Sequence, residues 1–376
     1  MNAPSPRLSD RQRINWLRLI RTSNVGPATF RDLINRFGSA EAAIEMLPEL
    51  TASGGALRAV RIPSVEEAES EINAATVAGA RFVAIGEADY PPMLRRMDQP
   101  PPLVAIKGEA AVFRLPAVAI VGARNASLAG IKMARVLASE LGREGYAIAS
   151  GFARGIDTAA HEASLATGTI AAFAGGIDQP YPPDNAALVD DVVANRGALI
   201  SEMPMGWEPR AKDFPRRNRI IAGLSLGLVV VEAAQRSGSL ISARMAGEMG
   251  RLVFAVPGSP LDPRAAGANG LLKDGAILVT ETRDVLDHIA PLIGAPVAER
   301  KNFEEPTDFS STPPPGDNDR AKVLEALGPT PVGVDEIIRH TGLHPAQVFM
   351  VLLELDLAGR LERHSGGSVS LLLADI

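Results

Sequence analysis

Apolar and polar positions along this 376-residue chain change their period from region to region. From about Leu8 to Ile62 the spacing is helical, with Ile14, Leu17, Leu19 and Ile20 forming one apolar face. Further helices are expected at Thr29–Phe37 and Glu41–Leu47, and the turn Asn24-Val25-Gly26-Pro27 separates the first two helices. From Pro63 to about Leu292 short apolar runs alternate with helical segments. The expected strands are Arg81–Ile85, Leu103–Lys107, Ala117–Val121, Ala147–Ser150, Thr169–Ala174, Ala198–Ile200, Leu228–Val231, Leu252–Val256 and Ala276–Val279. Several are uninterrupted apolar runs, as strands covered on both faces should be. Helical patterns at Leu128–Arg143, Asp157–Ala166 and Leu240–Met249 lie between them. This alternation predicts an α/β domain with a doubly wound, mainly parallel sheet.

From about Ala295 to Asn318 the pattern stops, and Glu304-Glu305-Pro306 and Pro313-Pro314-Pro315-Gly316 read as a flexible linker. The last region restarts with a helix-turn-helix pattern, Asp335–His340, Thr341-Gly342-Leu343 and Pro345–Ala358. A hairpin over Arg360–Leu372, centred on Gly366-Gly367, completes a winged helix. The expected division is a helical module at 1–62, an α/β domain at 63–294, a linker at 295–318 and a winged helix at 319–376. The helical module resembles a helix-hairpin-helix or SAM-like fold. Its turn can offer backbone N–H groups to a phosphate, but a small bundle packing on the main domain is the favoured reading.

Composition narrows the classes. Apolar residues make up 46% and charged residues 22%, ordinary for a soluble domain. The absence of cysteine excludes disulfides, thiolate metal ligands and a cysteine nucleophile, and it suits a reducing cytoplasm. The polar, Pro-rich start lacks a signal-peptide core and no run reaches membrane length, so a cytoplasmic protein without membrane insertion is expected. A net charge of -6 argues mildly against a nucleic-acid partner. The objection lapses where cations cluster, because phosphates sense the local field.

Ligands of doubly wound sheets bind beyond the C-terminal strand ends, and four segments fall there. In Val121-Gly122-Ala123-Arg124-Asn125-Ala126-Ser127, Gly122 permits a sharp turn, the following helix start favours an anion, and Arg124 can bind a phosphate. Arg124 stands where a dinucleotide fingerprint needs its second glycine, which argues against a nicotinamide cofactor. In Ser150-Gly151-Phe152-Ala153-Arg154-Gly155-Ile156-Asp157, Arg154 projects between Gly151 and Gly155, and Asp157 is an N-cap candidate. Ser150, Asp157 and His161 invite a triad reading, but a structural hydrogen bond between Asp157 and His161, one helical turn apart, is favoured.

The third segment concentrates the cations: Lys212, Arg216, Arg217 and Arg219 surround Phe214 and Asn218. Arginine and lysine neutralise phosphates, Phe214 can stack on a base, and Asn218 can bond a base edge or a loop carbonyl. In the fourth, Ser237, Gly238 and Ser239 open a helix with N–H and hydroxyl donors that can cap the helix, hold a phosphate, or both. No Walker A sequence and no metal-ligand spacing is present, so no catalytic residue, metal or cofactor is assigned.

Taken together, Val121–Ser127, Ser150–His161, Gly175–Pro182, Gly197–Pro204, Phe214–Ser225, Val229–Gly238, Val253–Gly258 and Gly267–Ala276 resemble the DNA-processing protein A (DprA/Smf) family. Ala123 and Ser242 depart from its commonest pattern without removing a charge. The resemblance implies a Rossmann-like domain that binds single-stranded DNA, helps load a RecA-type recombinase and forms homodimers. It implies a pocket of Arg124, Arg154, Lys212, Phe214, Arg216, Asn218, Arg219, Ser237 and Gly238. The recognition helix of the winged helix carries no Lys or Arg before Arg360, so protein contacts are expected of that domain. The competing reading is a nucleoside-monophosphate phosphoribohydrolase of the LOG type. The stretch Gln235–Ser242 lacks the catalytic glutamate which that resemblance requires. A transcription regulator, resting on the winged helix alone, is the weakest reading.

Overall fold

The structure, a computed structural model, describes residues 7–56, 58–293 and 314–372. Four helices open the chain: α1 (Asp10–Arg21), α2 (Pro27–Phe37), α3 (Ala40–Ser53) and α4 (Val65–Val77). The strands β1 (Ala80–Ala84), β2 (Leu103–Gly108), β3 (Ala117–Val121), β4 (Ala147–Ser150), β5 (Thr169–Ala172), β6 (Ala198–Ser201), β7 (Gly227–Val230), β8 (Leu252–Ala255) and β9 (Ile277–Leu278) follow. Interleaved with them are α5 (Leu128–Arg143), α6 (Ile156–Ser164), α7 (Ala186–Ala194), α8 (Asp213–Leu224), α9 (Gly238–Glu248) and α10 (Ala266–Lys273), and α11 (Thr282–Ile289) comes after β9. The chain divides into two compact units, one built on Ser70–Ala298 and the other joining Leu8–Glu69 to Glu299–Ile376.

The nine strands form one mixed sheet in the order β1-β2-β6-β5-β4-β3-β7-β8-β9. From β6 to β9 in that order every pairing is parallel. Strand β2 runs antiparallel to both β1 and β6. No α-helix lies between β1 and β2, so this connection lacks the helical crossover that usually joins parallel strands. Alternation along β3 explains its uninterrupted apolar sequence. Val118 and Ile120 pack with Leu137, Leu141 and Ile148 on one face, while Ala119 and Val121 pack with Ile220, Ile221 and Val230 on the other. Strand order reverses between β3 and β7, so the loops after these two strands diverge and leave a crevice.

In the second unit α12 (Asp317–Glu325) begins inside the stretch expected to be linker, whose residues up to 313 lie outside the described ones. The elements β10 (Val332–Gly333), α13 (Val334–Thr341), α14 (Pro345–Leu357), β11 (Leu361–Arg363) and β12 (Ser368–Leu371) complete a winged helix with strand order β10-β12-β11. Helix α14 is apolar nearly all round because it serves two cores. Val348, Val351, Leu352 and Leu355 pack within the winged helix, whereas Met350, Leu353 and Leu357 pack with Leu19, Phe30, Leu33 and Leu47 of α1–α3. The N-terminal bundle thus packs on α14 of the winged helix. Hydropathy spacing reports that a face is buried without naming its partner.

Candidate nucleic-acid interface

Three glycines set the loops at the crevice. A Cβ on Gly122 would stand 2.6 Å from Ile156 Cγ1 and 2.9 Å from the Glu232 carbonyl oxygen. Gly155 has φ +76°, and a Cβ there would meet the carbonyls of Ala123 and Arg124. A Cβ on Gly151 would overlap the guanidinium of Arg217. All three serve close packing of the loops.

The start of α5, expected to favour an anion, already holds one. Ser127 N–H donates to Glu232 Oε2 at 2.8 Å, and Ser127 Oγ caps the helix by accepting from Gly130 N–H at 3.0 Å. The start of α9 is open instead. Ser237 caps it, accepting from Ser239 N–H at 3.4 Å and sharing a 2.7 Å bond between hydroxyls with Ser239. Apart from its chain neighbours and its own helix backbone, no atom lies within 4 Å of where a Gly238 Cβ would be.

A cavity of about 420 Å³ lies between these loops. Arg124, Arg217, Arg236 and Arg264 line it with Phe214, Asn218, Ser237 and Gly238. A second cavity of about 280 Å³ shares Arg124, Asn125, Ala153 and Phe214 and adds Gly151, Arg154 and Tyr181. Phe214 stands at their boundary. Its ring meets Tyr181 edge-on at 5.6 Å, and the guanidinium carbons of Arg124 and Arg217 lie 5.2 and 5.7 Å from its centre.

The basic segment is helical, because α8 begins at Asp213, and its cations therefore point apart. Arg217 is buried at 6% exposure and donates to the carbonyls of Ala172, at 3.0 Å, and Gly151. Burial pushes its pKa down to about 10, with Asp157 opposing and Arg124 reinforcing the shift. Arg216 and Arg219 turn from the cavity to the buried carboxylate of Glu202, Arg216 at 2.9 Å. Arg219 also donates to the Gln99 carbonyl at 2.9 Å. Lys212 is exposed at the start of α8 and lines neither cavity. Arg154 lines the smaller cavity and pairs with Asp184 at 2.9 Å. Asn218 Nδ2 donates to the Gly238 carbonyl at 3.3 Å, the loop-carbonyl alternative.

The second segment needs two corrections. The N-cap of α6 is Gly155, and Asp157 lies within the first turn, where its carboxylate accepts from Gly151 N–H at 3.1 Å and Ala153 N–H at 3.3 Å. Burial raises the Asp157 pKa and Arg217 opposes the rise. His161 bonds Thr169 Oγ1 at 2.7 Å rather than Asp157, and Ser150 Oγ donates to the Ile120 carbonyl at 2.6 Å. Ser150, Asp157 and His161 Nδ1 are each bonded to the scaffold, and His161 Nε2 is buried without a partner.

Tyr181, Arg236 and Arg264 were not singled out from the sequence. Arg264 follows β8 and meets the same edge, a signal that strand order alone carried. Asp262 holds it by a fork at 3.1 and 2.8 Å. Among the described residues no group of three or more His, Asp or Glu side chains could hold a metal ion, and no helix is long and apolar enough to cross a membrane.

The sequence profile described as DNA recombination-mediator protein A matches residues 81–290, more than half of the chain. The chain belongs to the DprA/Smf family. Profiles for the DprA-like N-terminal HHH domain and the DprA winged helix domain match 10–74 and 307–367. Protein Smf of Escherichia coli K12 is 39% identical over 285 residues, 75% of each chain. DNA processing protein DprA of Streptococcus pneumoniae R6 is 45% identical over 199 residues, 52% of this chain and 70% of that one. The X-ray structure of DprA from Streptococcus pneumoniae overlays with a TM-score of 0.56 at 39% identity, covering 60% of this chain and 78% of that one. A DNA processing protein A from Helicobacter pylori, solved to describe its single-stranded DNA binding mode, overlays at 0.52 with 27% identity, covering 56% and 96%.

Proposed function

We propose that this DprA/Smf chain binds single-stranded DNA in the crevice between the β3 and β7 loops and passes it to a RecA-type recombinase during recombination or natural transformation. The observation that carries the reading is one cavity lined by Arg124, Arg236 and Arg264, with Phe214 in its wall and the open start of α9 beside it. Guanidinium groups take phosphates whatever the sequence, and an aromatic ring takes any base face. The recombination-mediator description of the family supports the second half of the reading.

Within this reading Arg124, Phe214, Asn218, Ser237 and Gly238 form the inner contacts, and Arg154 and Lys212 line the approach. The α/β domain is Rossmann-like and carries a homodimer contact, the first helices are SAM-like, and the work is done in the cytoplasm. The module boundaries fall near residues 62, 294 and 318. Among the described residues Asp157 is the one carboxylate lining the larger cavity, and two backbone amides already hold it.

Fluorescence anisotropy with oligo-dT and a matched duplex at two salt concentrations tests the reading. Single-strand preference that weakens with salt and is lost in folded Arg124→Ala supports it. Equal affinity for both DNAs, or none, overturns it.

A further inference from the structure

We propose that the larger cavity receives a phosphomonoester, the phosphorylated end of a strand, in preference to an internal phosphodiester. This rests on the single-strand reading and names the group that the cavity admits.

Three observations converge. Helix α9 spans 11 residues and starts at the cavity, where Ser237 caps the Ser239 amide and nothing outside the helix and its chain neighbours comes within 4 Å of a Gly238 Cβ. Arg217 lines the same cavity, is buried, and has an Nε with no hydrogen-bond partner. Its buried guanidinium adds to the positive field that an anion in the cavity meets. The third is charge. Asp157 faces Arg217, and Arg264 has Asp262 at 2.8 Å and Glu232 at 3.9 Å. Among the described residues Arg124 and Arg236 have no carboxylate in salt-bridge range.

The cavity therefore holds two uncompensated cations besides the positive end of α9. An internal diester brings one negative charge. A monoester brings about 1.5 to 2 at neutral pH, with three acceptor oxygens. The competing helix end, that of α5, is closed by Glu232. Beyond Phe214 the smaller cavity offers Arg154, already paired with Asp184, which suits the singly charged linkages that follow.

The test uses the full chain and dT oligonucleotides of one length carrying a 5′-phosphate, a 3′-phosphate or hydroxyls at both ends, titrated by anisotropy. One phosphorylated oligonucleotide is expected to bind several-fold tighter than the hydroxyl form. That advantage should vanish in Arg236→Gln and shrink below about pH 6, where the monoester loses its second charge. Thermal shifts with thymidine monophosphate and thymidine separate the two sources of the group. Stabilisation by the monophosphate alone, with all three oligonucleotides alike, assigns the cavity to free nucleotides and overturns the strand-end proposal. Equal binding without that stabilisation overturns it outright. Failure of every oligonucleotide to bind overturns the single-strand reading itself.

Discussion

Glu232 accepts the backbone N–H of Ser127 at 2.8 Å, so a carboxylate from the loop after β7 closes the helix that follows β3. The bond spans the crevice where the strand order reverses, and a phosphate at that helix would meet a fixed negative charge. Glu232→Ala should leave a helix amide without its acceptor and lower the unfolding free energy by about 1–3 kcal/mol in urea denaturation. Glu232→Gln keeps an acceptor and should cost less.

Arg124, after β3, and Arg216, in α8, should separate by their salt dependence. Arg124 lines both cavities and is exposed, so Arg124→Ala should reduce the slope of log affinity against log salt by about 0.7 for a single strand. Arg216 is neutralised by Glu202 and lines neither cavity. Arg216→Ala should leave that slope unchanged. An equal drop in both variants, measured by anisotropy over several salt concentrations, would place Arg216 on the DNA.

The sequence made the sheet legible because parallel strands buried on both faces leave runs such as Ala117–Val121 and Leu228–Val231, and every expected strand is present within two residues. Strand direction was not legible, since the pairing of β2 with β6 depends on partners far away in sequence. The ligand edge was legible from strand ends, which brought Arg124, Phe214 and Ser237 together. Side-chain direction within that edge was not. Lys212, Arg216, Arg217 and Arg219 read as one basic cluster, yet α8 starts at Asp213 and turns each of its residues by about 100° from the last. Arg216 and Arg219 thereby reach Glu202, Arg217 enters the interior, and Lys212 stays outside.

His161 is fully buried, and desolvation with help from Arg217 holds its pKa down to about 3. The unfolded chain takes up this proton near pH 6.5, while the folded chain stays neutral. The stability contributed by the neutral ring is whole above pH 6.5 and is lost as the pH falls toward 3. Asp157, raised by burial, works in the opposite sense, so the comparison of wild type with His161→Phe isolates the imidazole. Between about pH 4 and 6, unfolding free energy should fall more steeply in wild type, by up to about 1.4 kcal/mol per pH unit. Parallel pH profiles for the two proteins would mean that His161 is protonated in the fold.

Arg363 ties the winged helix to the first helices. It binds Asp356 of α14 at 2.8 Å and Asp32 of α2 at 3.1 Å, and Asp356 also accepts from Thr29 Oγ1 at 2.8 Å. Asn24, at the tip of the first turn, donates to the Leu357 carbonyl at 3.0 Å. Beneath these bonds Met350, Leu353 and Leu357 share a core with Leu19, Phe30 and Leu33. A helix in this position of a winged helix commonly enters the major groove, but α14 has spent its second face on α1–α3. Deleting residues 1–62 should uncover those three side chains and speed amide exchange along α14, and Arg363→Ala should do so to a smaller degree. Duplex affinity should not rise in either protein, because α14 carries no Lys or Arg with which to hold a backbone. Unchanged exchange after the deletion would show that α14 is held by the winged helix alone.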